Sequence, residues 1–174
     1  MRRPAIESWT SDAEAAELAR LATGKTVLEV GTYKGFGAVL MAQAGATVWA
    51  VDWHRGDPDL GPTDTLCAWW TNVRRAGVAD RVVGLVGRSS GVLPALRSQW
   101  FDMAFIDGHH SYEACSEDTG LVLPLLREGG VIAWHDYCAT WPGVIRAVNE
   151  LITSKRVEPS GRTGSLFVAT LRAS

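Results

Sequence analysis

The sequence predicts an α/β fold with a mostly parallel sheet, and two features of its apolar residues indicate this. Short continuous apolar runs recur along the chain, and segments with helical periodicity separate them. Continuous runs, unlike alternating ones, are typical of strands that are buried on both faces, as in parallel sheets. Strands that alternate with helices place those helices on both faces of such a sheet.

Five of the apolar runs are predicted to be parallel strands. They are TVLEV (26–30), TVWAV (47–51), RVVGLV (81–86), DMAFI (102–106) and GVIAW (130–134). The closing segment, KRVEPSGRTGSLFVATL (155–171), has two apolar stretches around a glycine turn, which predicts an antiparallel hairpin at the sheet edge. We therefore expect a seven-stranded sheet within a single domain that spans residues 1–174.

The helices are predicted from periodicity and from the residues that begin and end them. A first helix is expected over 11–24, with Thr10 or Ser11 as its N-cap and Gly24 at its end. Helical segments follow the first four strands; the third is GVLPALRSQ (91–99), and the fourth is expected to continue to Gly129 and Gly130. A last helix is expected to begin near Pro142. The stretch from Asp52 to Thr65 is rich in Gly, Pro and Asp and predicts a long loop.

Composition excludes several classes of protein. The 174 residues are 47% apolar and 21% charged, as in an ordinary globular domain. The formal net charge of −2 indicates no broad basic surface for nucleic acid or an anionic membrane. No apolar run approaches the ~20 residues of a membrane span. The three cysteines are widely spaced, so neither a disulfide framework nor a zinc site is indicated, and we expect a cytoplasmic protein.

The residues that follow each strand are the candidates for a binding site, because ligands of open parallel sheets bind beyond the C-terminal strand ends. After the first strand, Gly31 and Gly35 permit a tight turn whose backbone amides can approach a ligand. Asp52 ends the second strand, 21 residues after Gly31, at the spacing typical of an acid that binds ribose hydroxyls. Turn and acid together predict a ligand that contains adenosine.

The turn also indicates the class of cofactor. A strict dinucleotide motif is absent, and Glu29 beside the turn would repel a phosphate but suits an ammonium group. E-x-G-x-x-x-G is the pattern of class I S-adenosylmethionine-dependent methyltransferases. The segment FDMAFIDGHHSYEACSEDTGLVLPLLREGGVIAWHDY (101–137) resembles small bacterial members of that class, and the resemblance extends to 52–59, 76–82 and 143–151. The sequence is identified as a member of this family, in the subgroup related to metal-assisted O-methyltransferases.

The resemblance implies a Rossmann-like methyltransferase fold and a set of cofactor contacts. Glu29, Gly31 and the following turn would hold the methionine end of S-adenosylmethionine, and Asp52 would bind its ribose. Trp53 would lie beside the adenosine and Ser89 near the adenine edge, where Gly87-Arg88-Ser89 stands in place of the Gly-Asp-Ser of many relatives. The implied cofactor-binding set is Glu29, Gly31, Tyr33, Gly35, Asp52, Trp53, Ser89 and Asp107.

Methyl transfer to a hydroxyl requires removal of its proton, and a divalent cation on the oxygen lowers its pKa. Asp107 and Asp136 follow strands that we expect to be neighbours, and two carboxylates suit Mg²⁺. His135 stands where relatives often have a further oxygen ligand and suits Mn²⁺ or another transition ion. His110 lies three residues after Asp107, where metal-assisted relatives place their general base. The resemblance therefore implies that His110 is the base beside the catalytic Asp107, with His109 as the second choice.

Other interpretations stay open at this stage. The chain can be a metal-independent methyltransferase in which His110 acts alone, a nicotinamide-dependent oxidoreductase, or a protein that binds the cofactor without catalysis. We expect a small-molecule hydroxyl acceptor, such as a natural product, sugar or phenol, and a homodimer. Trp141 can line a substrate pocket or pack in the interior, and His54 is expected on a solvated loop.

Overall fold

The computed structural model describes residues 3–58 and 61–172. Its helices are α1 (Asp12–Ala22), α2 (Phe36–Gln43), α3 (Leu66–Arg75), α4 (Ser89–Val92), α5 (Tyr112–Val122) and α6 (Pro142–Thr153). Its strands are β1 (Thr26–Val30), β2 (Thr47–Asp52), β3 (Gly56–Asp57), β4 (Gly61–Pro62), β5 (Val82–Val86), β6 (Phe101–Ile106), β7 (Leu126–Trp134), β8 (Val157–Thr163) and β9 (Leu166–Leu171). Within the described residues, no helix combines the length and the apolar character that a membrane crossing requires.

The main sheet confirms the predicted α/β architecture. Its seven strands lie in the order β5-β2-β1-β6-β7-β9-β8. The five predicted strands run parallel, and the β8–β9 hairpin pairs antiparallel with β7 at one side. The strand order reverses direction between β1 and β6, which is the position where ligands bind in sheets of this kind.

Two apolar layers cover the faces of the sheet. On one face α1, α2 and α3 pack through residues such as Leu18, Met41 and Val73. On the other face α5 and α6 pack through residues such as Val122 and Leu151. The two layers bury the central strands on both sides, so their C-terminal ends and the loops after them are fixed in place.

The first and last helices begin where their capping residues predict. Ser11 is the N-cap of α1, and its side chain accepts a hydrogen bond from the Glu14 backbone amide. Gly24 follows the helix with φ at +71°, a conformation that glycine adopts readily. Pro142 is the first residue of α6.

Proline shortens two of the predicted helices, because it has no N–H to donate within a helix. The segment 91–99 holds only the end of α4 and a 3₁₀ turn around Pro94. The expectation that α5 continues to Gly129 and Gly130 is wrong: α5 ends at Val122, and a 3₁₀ turn with Pro124 follows. β7 then begins at Leu126, so both glycines lie within the strand.

The prediction that every parallel strand is buried on both faces is wrong for β5. This strand lies at the edge of the sheet and pairs only with β2 among the described strands. Val83 and Val86 are exposed on it. Its apolar run therefore indicates strand conformation but not a central position. Residues 59 and 60 of the predicted 52–65 loop lie outside the described residues, as do 1, 2, 173 and 174 of the predicted domain.

Candidate functional site

Two adjoining cavities lie at the C-terminal edge of the parallel strands. The outer cavity, of about 600 Å³, lies beside the ends of β2 and β5 and is lined by residues that include Asp52, Trp53, Ser89, His109 and Asp118. The inner cavity, of about 320 Å³, lies beside the ends of β1, β6 and β7 and is lined by residues that include Glu29, Asp107, His110, His135 and Asp136. Gly31 and Tyr33 line both, so one extended molecule can occupy the two cavities together.

The β1–α2 turn forms the boundary between the cavities, and glycine is required in it. Gly31 has φ at +84°, and a Cβ there would overlap the backbone carbonyl of Asp107 in the loop after β6. Gly35 has φ at +90° at the N-terminus of α2. The chain therefore passes close to the β6 loop and leaves the backbone of the turn open to a ligand.

Asp52 fixes this turn from the neighbouring strand. Its Oδ2 accepts hydrogen bonds from the backbone amides of Thr32 (2.9 Å) and Tyr33 (2.8 Å), and its Oδ1 accepts one from His54 (2.8 Å). The carboxylate is thereby held in one orientation on the wall of the outer cavity. The structure thus places the predicted ribose-binding acid beside the glycine turn that it also supports.

Trp53 and Ser89 lie on the outer cavity together with Arg88 and with Asp118, which the sequence did not indicate. The guanidinium of Arg88 lies 4.0 Å from the centre of the Trp53 ring, a cation–π contact. The Ser89 hydroxyl donates a hydrogen bond to Oδ1 of Asp118. Asp118 lies on α5, 29 residues along the chain from Ser89.

Glu29 is a buried carboxylate at the wall of the inner cavity. Only 1% of the residue is exposed, and its Oε2 has no hydrogen-bond partner among the described residues. A Cβ on Gly37 would overlap its Oε1, so glycine at 37 makes room for the acid. Burial raises the pKa of Glu29 to about 8; the Thr32 hydroxyl opposes this shift, and the charge on Asp107 adds to it.

We expect the stability of the protein to fall as the pH rises from about 4.5 to about 8, in part because of Glu29. Its pKa is higher in the folded than in the unfolded state, so in this window the unfolded chain ionises while the folded one keeps the proton. Glu29→Gln has no titratable carboxyl group at this position, so its free energy of unfolding in urea should fall less between these two pH values. Glu128→Gln, on an exposed position of β7, is the matched control. An equal fall in wild type and Glu29→Gln would contradict the shift.

The structure brings the three predicted metal ligands together. Nδ1 of His135 lies 3.2 Å from Oδ1 of Asp107 and 2.9 Å from Oδ2 of Asp136. Their donor atoms all lie within 4.8 Å of one another. Burial alone would lower the pKa of His135, but the charges and hydrogen bonds of Asp107 and Asp136 outweigh it and raise this pKa to about 11. The cluster can therefore hold a positive charge between its carboxylates.

The two candidate bases lie in different cavities. His110 lines the inner cavity, where its Nε2 lies 3.0 Å from Oδ2 of Asp136 and its ring stacks on Trp141 with centroids 4.1 Å apart. His109 lines the outer cavity. His110 therefore has a short contact with the cluster from the inner cavity, and Trp141 lines the same cavity.

A family model described as a methyltransferase domain matches residues 28–137, more than half of the chain. The matched range begins in β1 and ends after β7, so it contains the glycine turn, Asp52 and the whole cluster. The chain belongs to this methyltransferase family. Membership confirms the resemblance found in the sequence and lends no support to the oxidoreductase interpretation.

A curated relative of this methyltransferase-family chain is also a methyltransferase. The catechol O-methyltransferase of Mycobacterium tuberculosis is 31% identical over 120 residues, which are 60% of this chain and 52% of that protein. The chain thus spans about half the length of this relative.

Two solved structures show the same fold. Cofactor-bound Rv0187 from MTB has a TM-score of 0.79 at 23% identity, over 99% of this chain and 85% of that one. The O-methyltransferase from Bacillus cereus in complex with SAH has a TM-score of 0.74 at 20% identity, over 98% and 84% of the two chains. The predicted Rossmann-like methyltransferase fold is confirmed.

The N-terminal segment before α1 forms a wall of the inner cavity that sequence reasoning missed. Glu7, Ser8, Trp9 and Thr10 line the inner cavity. Glu7 forms an ion pair with Lys34 of the glycine turn (2.6 Å), and the Trp9 ring lies 5.5 Å from that of Tyr33. No local motif marks this segment, because its position depends on contacts with the β1–α2 turn.

Two further polar residues are buried near this edge of the sheet. Glu14 is a buried acid whose Oε1 accepts hydrogen bonds from the backbone amide and hydroxyl of Ser165, and whose Oε2 lies 3.7 Å from Nε2 of His135. The expectation of a solvated His54 is wrong: this residue is 4% exposed, and its Nδ1 lies 2.8 Å from Oγ1 of Thr65. His54 therefore closes the base of the 52–65 loop.

Proposed function

We propose that this methyltransferase-family domain is an S-adenosylmethionine-dependent O-methyltransferase that acts on a small-molecule hydroxyl with divalent metal assistance. The observation that carries the proposal is the junction of the two cavities at Gly31 and Tyr33. It joins Asp52 on one side to Glu29 and the Asp–His cluster on the other. An adenosine with an amino acid attached at its 5′ side matches this series of groups.

The side chains on the walls fit S-adenosylmethionine. The unpartnered Oε2 of Glu29 would accept a hydrogen bond from the cofactor's ammonium group, which compensates for the burial of the acid. Asp52, held by three backbone amides, would accept the ribose hydroxyls. When bound, the cofactor supplies a methyl group on its sulfonium.

The cluster also fits a divalent cation. Asp107, His135 and Asp136 would provide two carboxylate oxygens and one imidazole nitrogen as ligands, a set that Mg²⁺ or Mn²⁺ accepts. Such an ion would lower the pKa of an acceptor hydroxyl beside it.

His110 is proposed to remove the hydroxyl proton. With Nε2–H directed to Asp136, the neutral ring has its lone pair on Nδ1, which would take the proton. Stacking on Trp141 fixes the plane of the ring. Asp136 would stabilise the imidazolium that forms.

A second candidate is the metal-independent form of the same reaction. It is favoured by the short distances from Nδ1 of His135 to both Asp107 and Asp136, since a protonated imidazole satisfies both carboxylates without a metal ion. His110 would then act alone, as in the alternative drawn from the sequence. The homodimer, the cytoplasmic location and the single-domain extent stay predictions.

Titration calorimetry with S-adenosylhomocysteine tests the cofactor site. We expect saturable binding to the wild type and a loss of at least about tenfold in affinity for Asp52→Ala, because a carboxylate that accepts ribose hydroxyls is removed. Asp64→Ala, on the same loop but outside the lining of both cavities, should bind as the wild type does. No binding to the wild type would contradict the proposal.

Calorimetric titration with Mg²⁺ and Mn²⁺ alone separates the two candidates. Binding heat that is present in the wild type and absent in Asp107→Ala supports metal assistance, because this variant lacks one carboxylate ligand. Equal traces for wild type and Asp107→Ala would favour the metal-independent form. The same Asp64→Ala variant serves as the control for removal of an acid elsewhere.

A further inference from the structure

Asp118 is a buried acid on the wall of the outer cavity to which the proposed reaction assigns no role. It lies on α5 and is 7% exposed. It lines the same cavity as Asp52 and Trp53. Carboxylates are rarely buried in folded proteins, so its position requires an explanation.

The two oxygens of Asp118 face the two loops that border this cavity. Oδ1 accepts a hydrogen bond of 2.5 Å from the Ser89 hydroxyl, in the loop after β5. Oδ2 lies 3.1 Å from the position that a Cβ on Gly108 would take, in the loop after β6. Asp118 therefore reaches the cavity wall between Ser89 and Gly108.

Strand order sets which part of a bound cofactor reaches Asp118. The turn after β1 borders both cavities, Asp52 ends β2, and Ser89 follows β5, and these strands are adjacent in that order. A cofactor whose ribose meets Asp52 and whose methionine end lies in the inner cavity extends its base toward β5. The base edge therefore faces Ser89 and Asp118.

The wall of the outer cavity carries both a hydrogen-bond donor and a hydrogen-bond acceptor near the expected position of the base. Arg88 has only N–H donors, and its guanidinium lies over Trp53. Asp118 is an acceptor whose pKa is raised by burial and by the charge on Glu117, although the Ser89 hydrogen bond and the charge on His109 oppose the shift. A ligand N–H group would supply the donor that compensates for burial of this carboxylate.

We propose that Asp118, oriented by Ser89, accepts a hydrogen bond from the exocyclic 6-amino group of the cofactor's adenine and so selects for that base. This inference rests on the proposed function, since it presumes an adenosine-containing cofactor. The selecting acid comes from α5, eleven residues after Asp107, whereas the loop after β5 carries Arg88.

The test compares two ligands by calorimetry: S-adenosylhomocysteine and its analogue with hydrogen in place of the 6-amino group. We expect the wild type to prefer the 6-amino ligand by at least about tenfold, as for a hydrogen bond to a charged group. Asp118→Asn keeps the shape and the acceptor for Ser89 but places an NH₂ where Oδ2 stood. The preference of Asp118→Asn for the 6-amino ligand should fall to about twofold or less. The fall should come from weaker binding of the 6-amino ligand, while the affinity for the analogue stays the same.

Two further variants make the result specific. Ser89→Ala leaves the carboxylate but removes the group that orients it, so its preference should lie between those of wild type and Asp118→Asn. Glu113→Gln changes an exposed acid on the same helix, outside the lining of both cavities, and should keep the full preference. The inference is overturned if Asp118→Asn keeps the preference or if the wild type binds both ligands equally. Failure of both ligands to bind the wild type would instead contradict the proposed function.

Discussion

Replacement of His110 by alanine is expected to lower the rate of methyl transfer by about 10²–10⁴-fold, as for loss of a general base. The Nε2 of His110 is next to Asp136, and its ring is held against Trp141 in the inner cavity. Affinity for S-adenosylhomocysteine should change little, because the proposed adenosine contacts line the outer cavity, whereas His110 lines the inner one. Transfer of a labelled methyl group is measured in single turnovers with an acceptor found by screening small hydroxyl compounds, catechols first.

His109→Ala is the matched control for this experiment. The two histidines are consecutive in sequence, but His109 lines the outer cavity, whereas His110 lines the inner one. We expect the rate of methyl transfer by His109→Ala at saturating cofactor to stay within about tenfold of the wild type, because the proposed base, His110, is retained. If His109→Ala lowers the rate as much as His110→Ala, or if His110→Ala keeps the full rate, the assignment of the base is wrong.

Gly31→Ala is expected to destabilise the protein by more than about 3 kcal/mol and to abolish binding of S-adenosylhomocysteine. Gly31 has φ at +84°, and an added Cβ would overlap the carbonyl of Asp107. The backbone of the turn or of the β6 loop must move to relieve the overlap, and either movement disturbs the boundary between the cavities. Urea unfolding at constant pH gives the free energy, and calorimetry gives the affinity.

Gly77→Ala separates the overlap from the cost of the backbone conformation. Gly77 also has positive φ, at +71°, but nothing lies within 4 Å of the position of its Cβ. It should lose only about 1–2 kcal/mol, the cost of an L-residue in the left-handed region. Similar losses in the two variants would show that the β1–α2 turn does not abut the β6 loop as closely as described.

Much of the fold could be predicted because its signals are local. Continuous apolar runs mark the five parallel strands, and Ser11 and Pro142 mark helix starts. The errors arose where a local pattern has two outcomes. An apolar segment that contains a proline can form either a helix or a 3₁₀ turn, and its pattern does not decide between them. An apolar run likewise does not distinguish an edge strand such as β5 from a central strand.

The chemistry-bearing positions at the strand ends were also accessible to sequence reasoning. Parallel strands end at one edge of a sheet, so residues that follow them, such as Asp52, Asp107 and Asp136, are expected near one another. The structure places all three on the walls of the two cavities. The division of His109 and His110 between the cavities could not be predicted, since it depends on how one loop turns after β6.

The sequence by itself therefore determined the α/β fold, the glycine turn with its acid, and the clustering of acids and histidines at one edge. Only the tertiary structure decided which distant side chains complete the site. Glu14 illustrates the reason: its local pattern with Ser11 accounts for it fully as a helix cap, yet it also binds Ser165, 151 residues away. Asp118 and the Trp9 segment reach the cavities in the same way. Local sequence patterns specify backbone conformation, whereas contacts between remote side chains exist only once the elements have packed.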